Sequence, residues 1–480
     1  MVIKFACWTV TVVSIVVSGL SGRAADDPPA RGKFIPSFAV KYAGSEGWPD
    51  LEDAARFDLI ITGAGSARQK AHPSLPGNTW QVLKRMNPAQ VILLYELGPG
   101  EYNTADWGRL GPGWEWIRRE HGPGTADRWT AVGAKFGECL QGVDYANERL
   151  MLVGNPNWQQ FWLDQVHAKH WGQPDAPTIL ADGVFADNTR YAIPWMRWVR
   201  EGHRETPDSP ADYSTDGEYR PEIYRRQMKE FLARALPWMA ARQRAVGINF
   251  SGMAGAGSRA DWQELDQERP PVVVAMEEGA FVHPWGRPQG CFKFYTEDQW
   301  RQQVQIFRNL RHVRAAMNVH GPVHERANDM GRMDSADAAG RRAWDVFWFA
   351  LASFLLGYDD QRPNGYLNCT VWGYARFYWL REFDPQYLHL GRAQDEFRRV
   401  EGRTGHVYLR EFQDGWVVVN PTSTAAADVA VPRGRARMID HDALEQPESR
   451  PLVEQFNLAA QRAIVLLKEG RALGNADNNP

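Results

Sequence analysis

Cysteine is scarce, with four in 480 residues, at positions 7, 139, 291 and 369. Cys7 lies in an N-terminal apolar stretch, and the other three allow at most one disulfide with a thiol left over, so the chain is not a disulfide scaffold. Their wide spacing matches no zinc pattern, no His-x-His follows the first strand-like run and no His-Glu-x-x-His occurs, so a metal-dependent hydrolase lacks its ligands. Long basic runs are missing too, and the formal net charge is −3, which leaves no electrostatic footprint for nucleic acid. Gly63-Ala-Gly65-Ser-Ala-Arg68 starts like a dinucleotide loop but has Arg68 at the third glycine; it reads as a turn, and no cofactor is expected. Ser251-Gly-Met-Ala-Gly is not a Gly-x-Ser-x-Gly elbow, which argues against an esterase.

An apolar run long enough to span a membrane is also lacking. Residues 5–17 are mostly apolar, short of the ~20 residues a spanning helix needs. Lys4 precedes them and small residues follow as far as Ala24 and Ala25, the pattern of a cleaved secretory leader over residues 1–25. Cleavage would remove Lys4 and Arg23 and take the charge from −3 to −5. The expectation is an exported protein, periplasmic or extracellular, with no membrane insertion once the leader is gone.

Tryptophan, by contrast, is abundant, with 21 residues. Its flat amphipathic ring suits the apolar face and hydroxyl rim of a sugar, although most of these side chains are expected to fill the core. Eight short apolar runs occupy residues 34–42, 57–62, 90–97, 178–187, 246–251, 271–280, 315–319 and 353–358. Most are continuous rather than alternating, as in a parallel sheet covered by helices. Helical periodicity lies between them, at 157–168, 221–241 and 296–313. The pattern predicts an α/β fold, a (β/α)8 TIM barrel over 34–383 reached through a short linker at 26–33. An insertion after strand three, residues 98–177, carries Trp107, Trp114, Trp116 and Trp129 and is expected to help build a substrate groove. Beyond about residue 383 short strands and a hairpin signal at Gln413-Asp414-Gly415 predict a small antiparallel β-sandwich domain, 384–471, before a polar tail at 472–480.

Active sites of such barrels lie at the C-terminal ends of the strands. Asp187 closes the fourth run, sharing a face with Phe185, while Asp182 points the other way near the strand start and suits a structural role. Glu277 and Glu278 close the sixth run; only one can face the barrel axis, and Glu278, nearer the end and followed by Gly279, is preferred. Two acids flanking one cleft suit glycosidic bond cleavage, one protonated to assist the leaving group and one ionised to attack carbon or activate water. A separation of roughly 5–5.5 Å implies retention and about 6.5–9.5 Å inversion. Tyr42, Glu96, Asn188, Asn249, Glu277, Asn318, His320 and Asp359, near other strand ends, are the expected substrate contacts.

Several segments resemble known enzymes. Phe57-Asp-Leu-Ile-Ile, Val91-Ile-Leu-Leu-Tyr, Asn155-Pro-Asn-Trp158, Asp182-Gly-Val-Phe-Ala-Asp187-Asn188, Tyr387-Leu-His-Leu-Gly391 and Asn420-Pro-Thr422 are similar to hypothetical glycoside hydrolases, barrels with an appended β-domain distantly like alpha-galactosidases. The resemblance implies action on a polysaccharide or oligosaccharide, with a nucleophilic Asp after strand four and an acid/base carboxylate after strand six. Carried over, these roles fall on Asp187 and Glu278. The rival reading is a non-catalytic carbohydrate-binding protein on a degenerate barrel, which would keep the tryptophan groove without a facing acid pair.

Overall fold

The computed structural model describes residues 33–474 except 42–50, 64–78, 99, 103–106, 109–110, 113, 143–147, 173–179, 193–197, 201–207, 268–271, 284–292, 321–322, 325–326, 329–337, 371–373 and 375–376. The leader, Tyr42 and Cys291 lie outside the described residues; Cys139 and Cys369 are free thiols.

Eight parallel strands form one sheet in chain order: β1 (Phe38–Lys41), β2 (Leu59–Thr62), β3 (Val91–Leu97), β4 (Gly183–Asp187), β5 (Ala245–Asn249), β6 (Val274–Glu277), β7 (Arg314–His320) and β8 (Gly365–Thr370). A parallel bridge between Ser37 and Leu367, with a 2.9 Å bond from the Leu367 N–H to the Pro36 carbonyl, ties β8 back to the approach to β1 and closes the barrel. Strand alternation sends Phe38, Val40, Leu59, Ile61, Leu93, Tyr95, Phe185, Val274, Met276 and Ala316 into one packed interior cluster, distinct from the shell between strands and helices. Gly247 belongs to this interior because there is no room for more: a Cβ there would lie 2.7 Å from Leu93 and 2.8 Å from Val274.

The helices of the barrel shell are α1 (Leu51–Arg56), α2 (Thr79–Met86), α3 (Pro156–Trp171), α4 (Pro221–Ala240), α5 (Ser258–Leu265), α6 (Glu297–Asn309) and α7 (Ala338–Gly357), one between each pair of successive strands, and the insertion after β3 adds two short helices, Trp114–His121 and Pro123–Asp127. Their starts are written locally. The Asn155 side chain accepts from the backbone N–H of Asn157 (2.9 Å) and Trp158 (3.3 Å), with Pro156 in the first turn of α3. Thr296 and Gln299 form a reciprocal capping box on α6. At the opposite end of the barrel from the strand termini, Asp182 ion-pairs with Lys84 at 2.8 Å and accepts from the Ile92 N–H at 2.7 Å, the structural role its position suggests.

One strand expectation is overturned. Residues 353–357 are the end of α7, with Tyr358 just past it, and the eighth strand is Gly365–Thr370. A short apolar run does not distinguish a strand from a buried helix. Helix α7 is apolar on both sides because it packs between β7 and β8 of the barrel and the C-terminal sheet, so the usual polar face is missing. Among the described residues no helix is long and apolar enough to cross a membrane.

The C-terminal region contains β9 (Arg398–Glu401), β10 (His406–Glu411), β11 (Gly415–Asn420), β12 (Ala426–Ala430), β13 (Ala436–Ile439), β14 (Leu452–Val453), β15 (Gln455–Leu458) and β16 (Arg462–Lys468). A six-stranded sheet runs β9-β10-β11-β16-β13-β14, and β12 pairs with β15. Val407, Leu409, Trp416 and Val418 face a core shared with Val429 and Phe456 of the smaller sheet, whereas Val417, Val419 and Val465 join the cluster around α7. Arg410 crosses that boundary. Buried on β10, it donates to the carbonyls of Leu355 (2.9 Å), Leu356 (3.3 Å) and Tyr358 (2.5 Å), supplying donors that the C-terminal end of α7 lacks. Arg410→Ala should lower stability by about 2–3 kcal/mol, because buried carbonyls lose charged donors. The urea unfolding midpoint measures this, and an unchanged midpoint would show that the interface does not depend on this cap.

Candidate active site

Alternation decides which polar residues reach the mouth. On β4, Gly183, Phe185 and Asp187 share the inward face; on β6, Val274 and Met276 do so, and Glu278 continues it just past the strand end. Asn249 ends β5 on the same face and links the two acids. Its Nδ2 donates to Asp187 Oδ1 at 2.8 Å and to Glu278 Oε2 at 3.2 Å, while its Oδ1 accepts from the Ser251 hydroxyl at 2.7 Å. Ser251 Oγ in turn accepts the Glu278 backbone N–H at 3.0 Å. The remaining lone pairs of Asp187 take bonds from the Tyr95 hydroxyl (2.5 Å) and the Asn188 N–H (2.9 Å).

Glu278 faces a second chain of polar groups. Its Oε1 accepts from the Tyr374 hydroxyl at 2.7 Å and lies 3.2 Å from His320 Nε2. Tyr374 is also hydrogen-bonded to His320, and it accepts from Asn318 Nδ2 at 3.0 Å. Asn318 Oδ1 is held by Asn368 (2.7 Å) and Thr370 (2.8 Å) of β8. Backbone strain gathers at this mouth: four of the eight positive-φ non-glycine residues described, Asn188, Ser251, Phe281 and Tyr374, follow β4, β5, β6 and β8.

Of the expected contacts, Asn188, Asn249, Asn318 and His320 come together with Asp187 and Glu278. Three do not. Glu96 points outward from β3 and is buried under α3, 2.6 Å from Lys169 and 2.5 Å from His170. Its neighbour Tyr95 holds the inward position, and the alternation that separates Glu277 from Glu278 would have selected it. Glu277 also points outward, and its carboxylate accepts the backbone N–H of Met253 (2.6 Å) and Gly279 (3.1 Å), a structural anchor. Asp359 lies before β8, at the wrong end of the barrel, where it accepts from the N–H groups of Gln361 and Arg362 and pairs with Arg362 at 3.0 Å. It was misplaced together with the eighth strand, which also hid Tyr374 and Thr370. Among the described residues no three His, Cys, Asp or Glu are grouped as metal ligands. Trp129 of the insertion is core, 4.9 Å from Phe161.

Electrostatics separates the acids. Burial, and then the charge of Glu278, push Asp187 up to about 6 against the bonds from Tyr95, Asn249 and Asn188. Burial also acts on Glu278, but His320 and Tyr374 outweigh it and hold that carboxylate below its usual range. A third acid joins them from the insertion. Glu148, which no strand pattern marked, is pushed up to about 8 by burial and by the charge of Asp187. The pair therefore holds one proton between the two ionisations.

No protein-family model matches the chain, and no curated protein matches it in sequence. Among solved structures it is similar to an alpha-galactosidase of Geobacillus stearothermophilus (TM-score 0.38, 9% identity, covering 90% of this chain and 55% of that one). It is similar also to a trehalulose synthase of Pseudomonas mesoacidophila (0.44, 9%, 90% and 98%) and to an alpha-amylase of Lactobacillus plantarum (0.41, 11%, 89% and 98%). The chain spans about half the length of that alpha-galactosidase.

Because like charge is part of what raises Asp187, Glu278→Gln should return its titration toward the ordinary aspartate range. Carbon-13 NMR of labelled aspartate carboxyls reads this directly; a titration left near 6 would mean that burial alone raises Asp187 and that the charge of Glu278 does not act on it.

Proposed function

We propose that the protein is an exported glycoside hydrolase that cleaves an O-glycosidic bond of a polysaccharide or oligosaccharide by retention, with Asp187 as nucleophile and Glu278 as acid/base. The observation that carries the reading is Asn249: one amide nitrogen donates to both carboxylates, at 2.8 and 3.2 Å. The two N–H bonds of an amide diverge by about 120°, so linear bonds would hold the two accepting oxygens roughly 5 Å apart, in keeping with the close spacing of retaining enzymes. Two inward acids at this distance also favour catalysis over the rival reading, a degenerate barrel that only binds carbohydrate.

The hydrogen bonds support the division of roles. Asp187 is fixed by three neutral donors, so an attacking oxygen keeps its aim. Glu278 is linked to Tyr374 and His320, groups through which an acid/base can regain a proton. In the free protein the shared proton favours Asp187. A bound sugar brings the developing positive charge of the anomeric carbon to Asp187 and a basic glycosidic oxygen to Glu278, and both move the proton to Glu278. Attack by Asp187 Oδ on the anomeric carbon then breaks the bond to the leaving oxygen, which takes the Glu278 proton. Water, deprotonated by Glu278, releases the sugar from Asp187 in the second step.

Asp187→Asn and Glu278→Gln should each cut turnover by about 10³-fold or more while the fold persists. A panel of aryl glycosides and polysaccharides identifies the substrate, and Asp187→Asn turning over normally would remove the proposal. Leaving-group dependence divides the roles. Glu278→Gln should form the glycosyl-enzyme readily from a dinitrophenyl glycoside, which needs no protonation, whereas Asp187→Gly should be rescued by azide with inversion; the opposite pattern would exchange the two residues.

The pH profile follows from the shared proton. Below the lower ionisation both acids are protonated and no nucleophile exists. Above the upper one both are ionised and no acid remains. Activity should therefore fall as pH rises through about 6, the value set by Asp187, and kcat/KM against pH checks it. A plateau extending to pH ~9 would contradict the coupling.

A further inference from the structure

The barrel and the C-terminal region enclose a cavity of about 870 Å³ between α6, the loop that leads into β8, and residues 393–399 with β10. It sits beside the N-terminal ends of β7 and β8, at the far end of the barrel from the acid pair. Its charge is lopsided. Among the described residues eight arginines line it against four carboxylates, in a chain whose formal net charge is −3. Helical spacing explains part of this: Arg301, Gln305 and Arg308 fall on one face of α6, while Trp300, Val304 and Phe307 are buried one position earlier on each turn.

Three of these arginines are neutralised within the cavity, Arg362 by Asp359 at 3.0 Å, Arg398 by Asp395 at 2.7 Å and Arg308 by Glu396. Arg259, Arg311 and Arg410 meet only neutral acceptors among the described residues. Arg259 donates to the Gln305 side chain at 2.7 Å, and Arg311 to the carbonyls of Arg308 and Leu310 at 3.0 and 3.1 Å. Arg410 is 5% exposed; its Nε donates to the Asp395 carbonyl at 3.0 Å and its Nη1 to the end of α7, which leaves Nη2 without an acceptor. Nη1 of Arg308 is likewise buried with no hydrogen-bond partner. Cations held in this way are desolvated without enough anions to compensate them, a costly arrangement. Burial, and then the charge of Arg308, accordingly bring Arg410 down to about 10.

We propose that this cavity is a second, non-catalytic binding site, which takes the carboxylate or sulfate groups of an anionic polysaccharide on Arg259, Arg311 and Nη2 of Arg410. Guanidinium forks match such groups bidentately. A cavity of this size encloses a ligand of about two sugar rings rather than a lone ion, and Phe397 on its wall offers an apolar face to a sugar. The choice of a sugar polymer over an acidic peptide rests on the function proposed above; the anion site does not. A long chain held here is anchored without occupying the cleft at Asp187 and Glu278.

Affinity electrophoresis of the full chain through gels containing polygalacturonate, dextran sulfate, poly-L-glutamate or unmodified dextran tests the site. The variants are Arg259→Glu, Arg311→Gln and, as a control, Arg226→Glu on α4, which is exposed, lies outside the cavity and carries the same change of charge as Arg259→Glu. Wild type should be retarded by polygalacturonate or by dextran sulfate, which tells carboxylate from sulfate recognition, and not by dextran. Arg259→Glu and Arg311→Gln should each weaken binding roughly 10-fold, and Arg226→Glu by no more than about twofold. Equal weakening by Arg259→Glu and Arg226→Glu would reduce the effect to net charge and overturn the proposal. So would binding that neither cavity variant weakens, or no retardation by either polysaccharide, and tighter binding of poly-L-glutamate would overturn the choice of ligand. Arg259 is exposed on α5, so its variant decides the matter even if Arg311→Gln fails to fold. Retardation without turnover of any glycoside would count against the acid-pair reading alone, and turnover without retardation against this site alone.

Discussion

Everything at the mouth of the barrel turns on the side-chain amide of Asn249. Two carboxylates brought within reach of one another from inward faces one strand apart repel, and burial strengthens that repulsion. A donor with two hydrogens and no charge is the least disruptive way to hold both, and Asn249 provides it, its own carbonyl satisfied by Ser251. Because Ser251 also accepts from the Glu278 backbone, the amide cannot rotate without breaking several bonds at once. The site is therefore stiff before any ligand arrives, and its stiffness comes from neutral groups that leave the acids free to exchange protons.

The contrast between the two acids follows from what surrounds each. Asp187 meets neutral donors alone, so burial and the nearby charge of Glu278 lift it. Glu278 meets His320, which can carry positive charge, and the Tyr374 hydroxyl, so its ionised form is favoured. A cleft built with two equivalent environments would protonate both acids together or neither. The asymmetry of neighbours keeps one proton in the pair over a usable range of pH.

The barrel and the acid pair were legible in the sequence because both rest on short-range regularities: apolar runs at barrel spacing, and alternation along a strand. Alternation placed Phe185 with Asp187, and it favours Glu278 once Val274 and Met276 are known to face inward. On β3 the same alternation turns Tyr95 inward and Glu96 outward. The eighth strand was lost for a different reason. Helix α7 is covered on one side by the barrel and on the other by the C-terminal sheet, so its end reads as a uniform apolar run, and the residues that belong to β8 and its following turn, Thr370 and Tyr374, went unseen. Glu148 had no readable signal, since its place depends on an antiparallel pairing inside an irregular insertion and on two glycines 48 and 50 positions earlier.

That last case shows how a loop can shape the chemistry of a strand end without entering the cleft. The strained turn after β4 would relax if left alone, because a left-handed asparagine has cheaper conformations available. The segment that follows β3 passes beside that turn, where a Cβ on Gly98 would lie 2.6 Å from the Asp187 carbonyl, and its strand pairs with the one that carries Glu148. An ionised side chain in that position would add a third negative charge beside Asp187 and undo the separation that Asn249 and His320 maintain. The burial that keeps Glu148 neutral is therefore as much a part of the acid pair's electrostatics as the groups that touch the pair directly.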